Sequence, residues 1–132
     1  MTRLALILVT VLVTCFPAVL RAHALDPGYL NLEAMGQERW RVTWRIPAVN
    51  GRPMPIETRL PDVCTNDPPP PPVFDGRAWT TGWVAVCTGG LVGGVIRIDG
   101  LENTRTETLV RYELTPGRTQ VHRLTSAETA FT

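Results

Sequence analysis

Arg39-Trp40-Arg41-Val42-Thr43-Trp44-Arg45-Ile46 alternates without a break. Trp40, Val42, Trp44 and Ile46 fall on one side; Arg39, Arg41, Thr43 and Arg45 fall on the other. Successive side chains of an extended chain point to opposite faces, so this period marks a strand with one face in a core and one in water. Pro47, which lacks a ladder donor, is expected to end the strand. The two indoles predict the centre of the core, with Trp83 reaching it from a facing strand.

Outward from that stretch the same period recurs. Gly28 to Met35 sets Leu30 and Leu32 together, and Met54 to Leu60 alternates with prolines that suit an edge. Trp79 to Cys87 places Trp83, Ala85 and Cys87 on one side. Gly94 to Asp99, Thr106 to Leu114 and Thr119 to Leu124 complete the set, and Pro116-Gly117 predicts a hairpin between the last two. No segment carries a helical period. About seven short strands separated by turn signals predict an all-β fold, an antiparallel β-sandwich of immunoglobulin-like type. Two stretches interrupt it. Residues 61–76 form a proline-rich loop whose Pro68-Pro69-Pro70-Pro71-Pro72 run reads as an exposed polyproline II spacer. Gly89-Gly90-Leu91-Val92-Gly93-Gly94 lacks the Gly-Lys-Ser/Thr ending of a phosphate loop and reads as a tight turn.

The first 24 of the 132 residues have a different character. A basic start with Arg3, an aliphatic run from Leu4 to Val13, and Ala22-His23-Ala24 make up a secretory signal with a small-x-small cleavage site. Phe16, Ala18, Val19 and Leu20 extend the apolar run past Pro17, and the whole is short for a spanning helix. Residues 25–132 are then one exported domain, periplasmic or on the extracytoplasmic face of a membrane. The Ala-x-Ala reading places cleavage after Ala24; cleavage after Ala22 is the alternative. Cys64 and Cys87 remain after cleavage, and an even pair in an oxidising compartment predicts a disulfide.

Composition excludes several classes. All 13 basic residues are Arg, set against 12 acidic ones. They are dispersed, so there is no nucleic-acid footprint. Ser126 is the only serine, and no nucleophile-elbow motif surrounds it or His122. Glu102 and Glu107 read as solvated turn and strand residues, and no small-molecule substrate is identifiable. A non-enzymatic domain is expected. Cleavage after Ala22 would leave His23 as the new N-terminus, where amine and imidazole together chelate a nickel or copper ion, with Glu33 or His122 as conceivable further ligands.

A resemblance adds a concrete role. The blocks are Ala22-His23, Pro27-Gly28-Tyr29-Leu30-Asn31-Leu32-Glu33, Trp40 to Pro47, Cys87-Thr88-Gly89-Gly90-Leu91, Ile98-Asp99-Gly100-Leu101 and Thr108-Leu109-Val110-Arg111. Together they resemble the N-terminal extracytoplasmic part of the HupE/UreJ family of membrane proteins, across most of residues 22–132. That resemblance implies a β-rich domain ahead of a multi-helix membrane domain, an accessory role in hydrogenase or urease maturation, and nickel transport. The chain stops at Thr132, where the membrane helices would begin, and Ala24-Leu25 departs from the acidic residue the family tends to carry after its His. The expected role is partner contact with a membrane permease component, or metal delivery to it. The alternative is a stand-alone periplasmic metal-binding protein of CopC-like character.

Overall fold

A computed structural model describes residues 26–132. The expected signal peptide, residues 1–24 with His23, lies outside the described residues. Eleven strands follow one another: β1 Gly28–Gly36, β2 Arg39–Val49, β3 Arg52–Pro53, β4 Glu57–Arg59, β5 Cys64–Asn66, β6 Val73–Phe74, β7 Ala78–Cys87, β8 Ile96–Asp99, β9 Thr108–Glu113, β10 Thr119–Leu124 and β11 Ala130–Phe131. One 3₁₀ turn, Leu101–Asn103, interrupts them. The fold is all-β and sandwich-like. The large sheet runs β10-β9-β1-β2-β7-β5, with β3 beside β2 and β6 beside β7; the small sheet runs β11-β8-β4. The excess over seven strands consists of the two- and three-residue elements β3, β5, β6 and β11.

The alternation in β2 holds. Val42 is fully buried, Trp40 and Trp44 are 4% and 3% exposed, and Arg39 and Arg41 lie in water. Ile46 is half-buried against the same core. Pro47 does not end the strand. It pairs with Ala78 of β7, and β2 continues to Val49. Its neighbour Ala48 donates to the Arg77 carbonyl, so Pro47 turns its nitrogen away from β7. On that side the β1 ladder has ended and Met54 takes its place, donating to the Pro47 carbonyl while its own carbonyl accepts from Ile56, so no donor is needed from Pro47.

The large sheet is mixed rather than wholly antiparallel. β1 pairs antiparallel with β2 but parallel with β9, Leu30 lying beside Val110. The Gly28 amide donates to the Glu107 carbonyl at 2.8 Å to open that ladder. β9 reaches this position only after the chain has crossed into the small sheet through β8 and returned by way of the 3₁₀ turn. Gly100 sits at the bend with φ +85°, and a Cβ there would run into the Pro55 carbonyl. β9 and β10 form the hairpin expected around Pro116-Gly117.

Leu30, Leu32, Val42 and Val110 on the large sheet meet Ile96, Ile98 and Leu101 on the opposing side, with Leu124 closing one end. Each fully buried aliphatic side chain stabilises by about 1.5–3 kcal/mol. Cys64 and Cys87 are directly opposite in the β5–β7 pairing and are joined by a disulfide across 23 residues of sequence. The proline run is exposed, as its composition requires. It does not hang free: β5 before it and β6 after it both pair with β7, and the Thr81 hydroxyl donates to the Pro70 carbonyl at 2.7 Å.

Candidate functional site

Width decides where a site can exist. Neighbouring strands lie about 4.8 Å apart, so six strands span roughly 24 Å and three span roughly 10 Å. The inner face of the large sheet is therefore wider than its cover. The cover is also placed to one side. Phe131 of β11 stacks on His122 of β10, with centroids 4.2 Å apart, and contacts Tyr112 of β9. From there the small sheet reaches toward β7 and stops at β4.

What β4 leaves open is a cleft of about 440 Å³. Trp44, Thr81 and Trp83 form its floor, Thr58 and Leu60 its roof, and Asn66 its far end. The Trp83 Nε1 donates to Asn66 Oδ1 at 2.9 Å, which holds the indole flat against the open end. Trp83 therefore sits at a boundary: it packs on the core with one side and lines the cleft with the other. The disulfide matters here as well. It pins Cys64, and with it the segment from Leu60 to Val63, against the end of β7.

At the rim, electrostatics distinguish satisfied from unsatisfied charges. Asp99 accepts from Arg59 Nε at 2.8 Å and from Arg97 Nε at 2.7 Å, and Arg59 also donates to Glu57. The hydrogen bond from Arg59 and then that from Arg97 hold the Asp99 carboxyl below the usual carboxylate range, and the same Asp99 contact raises Arg59. Asp62 lines the cleft and Asp67 stands between the lining residues Asn66 and Pro69. Among the described residues neither forms an ion pair. The uncompensated charge at this end is thus negative.

A second hollow of about 590 Å³ adjoins the first and shares its wall from Arg59 to Asp62. Its other side is the glycine turn, where Gly89, Gly90 and Gly93 all have positive φ. The two arginines facing it, Arg59 and Arg97, are already bound to Asp99, so it presents no free cation to an anion. The tryptophan cleft is the better-furnished site.

The remaining sequence candidates are dispersed. Trp40 donates its Nε1 to the Glu113 carbonyl at 2.8 Å and is structural. Glu33 pairs with Arg41 on the outer face at 3.1 Å, whereas His122 lies on the inner side of β10, in line with buried Leu124. The two cannot share an ion. Among the described residues no group of three or more His, Cys, Asp or Glu comes together to hold a metal. Nor, among them, is any helix long and apolar enough to cross a membrane. Thr58, whose hydroxyl oxygen is buried without a partner, had no signal in the sequence. Its importance comes from where β4 stops.

The fold and cleft together define an all-β sandwich-like domain with a partly covered inner face. Comparison with protein-family models and with curated protein sequences finds no match to the chain.

Proposed function

We propose that the chain is a non-enzymatic exported binding domain, of the extracytoplasmic kind implied by its HupE/UreJ resemblance, that works by contact with a membrane permease component. The observation that carries the reading is the cleft over Trp83. An aromatic floor with a few convergent polar groups, in the volume range of ordinary binding sites, is the usual form of a recognition surface. The cleft offers hydroxyls, an amide, indoles and two carboxylates, of which Glu57 is already paired with Arg59. Carriage of nickel or copper would rest on His23, outside the described residues. The CopC-like alternative shares that dependence and gains nothing from the cleft.

Photo-crosslinking tests the reading. A benzophenone amino acid is placed at Asn66 or Asp62 in the cleft, or at Arg41 or Val121 elsewhere on the surface, in cells that make the protein. The expected result is one membrane-protein adduct from the cleft positions alone. Equal labelling from all four positions, or none from the cleft, refutes it. Mass spectrometry of the mature N-terminus tests export and the His23 site together: a start at His23 keeps the chelate, and a start at Leu25 removes it.

A further inference from the structure

The small sheet is unfinished, and its unfinished edge faces the cleft. In β8, Ile98 turns its amide toward β11, donating to the Thr129 carbonyl at 2.9 Å. Antiparallel ladders alternate, so Arg97 and Asp99 turn toward β4, where they pair with Arg59 and Glu57. Thr58 pairs opposite Ile98, and its N–H and C=O must therefore point away from β8, into the open side. Its hydroxyl oxygen is buried beside the cleft and bonds to nothing among the described residues. A donor and an acceptor in strand geometry thus stand over Trp83 and Thr81 with no neighbour. An unpaired strand edge of this kind is a template for another strand.

β10 also ends the large sheet as an edge, but the tryptophan cleft does not adjoin it. The outer edge of β7 is occupied by β5, β6 and the five prolines between them, which have no amide to give. A strand laid against β4 would instead sit about 4.8 Å beyond it and about 10 Å above β7, the ordinary spacings of a sandwich. Its downward side chains would meet Trp83 and Thr81, and its upward ones would lie in water beside Asp62.

We infer that the cleft receives an extended peptide segment of a partner protein, which adds as a fourth strand to β4 through the backbone of Thr58, with apolar residues against Trp83 and basic residues toward Asp62. The inference rests on the cleft being the binding site and adds the mode and chemistry of the occupant. Main-chain bonds supply the attachment and alternate side chains the selectivity, as in strand addition generally. The basic character follows from the unpaired Asp62 carboxylate in the cleft wall, because the arginines at the rim are already committed to Asp99 and Glu57.

The test uses the purified chain with its disulfide intact and two blocked ten-residue peptides, one alternating Val and Arg, the other alternating Val and Glu. Titration by calorimetry is expected to give a micromolar Kd for the Val/Arg peptide, at least tenfold tighter than for its Val/Glu counterpart, with the difference shrinking at high salt. Thr58→Pro removes only the outward amide and leaves the β4–β8 ladder, so it should weaken binding tenfold or more with little change in melting temperature. Arg41→Ala, on the outer face away from the cleft, should bind as the parent does. Hydrogen exchange reads the same bond without a substitution: the Thr58 amide should gain protection when the Val/Arg peptide is added. Absence of Val/Arg binding, or no added protection at Thr58, overturns the inference. If Thr58→Pro binds normally while Trp83→Ala does not, strand addition fails and the cleft reading survives. If both variants bind normally, both readings fail. Self-association of the chain that Thr58→Pro abolishes would make the occupant a second copy and refute the partner segment.

Discussion

Replacing Cys64 and Cys87 together by Ala probes the link between the disulfide and the cleft. The bridge closes 23 residues of chain. In the chain-entropy relation a loop of that length constrains the unfolded state by about 3.4 kcal/mol at 25 °C. Cys87 is fully buried, so loss of its sulfur adds to the cost. Unfolding entropy near 2.1 cal/mol/K per residue over residues 26–132 gives about 0.22 kcal/mol/K, so the melting temperature should fall by roughly 15 °C. Urea titration followed by tryptophan fluorescence measures the change directly. The midpoint should drop and the slope m should rise, because the unbridged denatured chain exposes more surface. The parent protein after reduction keeps its buried sulfurs and should lose somewhat less stability than the double variant. A loss under about 1 kcal/mol with m unchanged would refute the reasoning, since the loop would then already be constrained in the unfolded chain.

Trp44→Ala, at the bottom of the core, should cost about 3–5 kcal/mol by chemical denaturation, and Trp83→Ala, half-buried at the cleft, less than half as much. Gly100→Ala forces a side chain into a left-handed bend against the Pro55 carbonyl and should destabilise by about 2–3 kcal/mol in the same assay. Thr58→Val removes a buried hydroxyl without a partner and should stabilise by about 1 kcal/mol in thermal melts. Asp75 accepts hydrogen bonds from Arg45 and from the amides of Ala78 and Arg77, which hold its carboxyl well below the usual range. A depressed folded-state value stabilises above the unfolded pKa near 3.9 and is lost as pH falls through the folded one. The parent should therefore exceed Asp75→Asn in stability at pH 5–7, and the two should converge as the pH is lowered from 4 toward 2.

The regular strands were legible because burial on one face writes a period of two into the sequence, as Trp40 to Ile46 and Val110 to Leu114 show. The cross-strand cysteines were legible from number and expected compartment. Pro47 misled because the cost of a missing amide depends on which neighbour that amide would face, a fact of tertiary position. β3 was foreshadowed by Asn50-Gly51, a strong hairpin pair whose residues both have positive φ. The parallel β1–β9 contact left no local trace: Leu30 and Val110 look the same whichever way their strands run. The cleft was invisible for a related reason. Trp83 reads as core from its alternation, and only the offset of a narrow sheet over a wide one leaves it half open. Thr58 is an ordinary strand threonine until β4 is seen to be an edge.

The parallel seam between β1 and β9 also sets an order of events. β1 finds one neighbour, β2, within a few residues, but its other flank waits for a segment that begins at Thr108. A chain emerging from a ribosome cannot seal its central sheet until the segment from Thr108 to Tyr112 is out. Such distant pairing slows folding and keeps apolar strand faces uncovered meanwhile. A polypeptide that must pass through a narrow channel unfolded gains from that delay, and the parallel pairing that causes it is built into the finished protein.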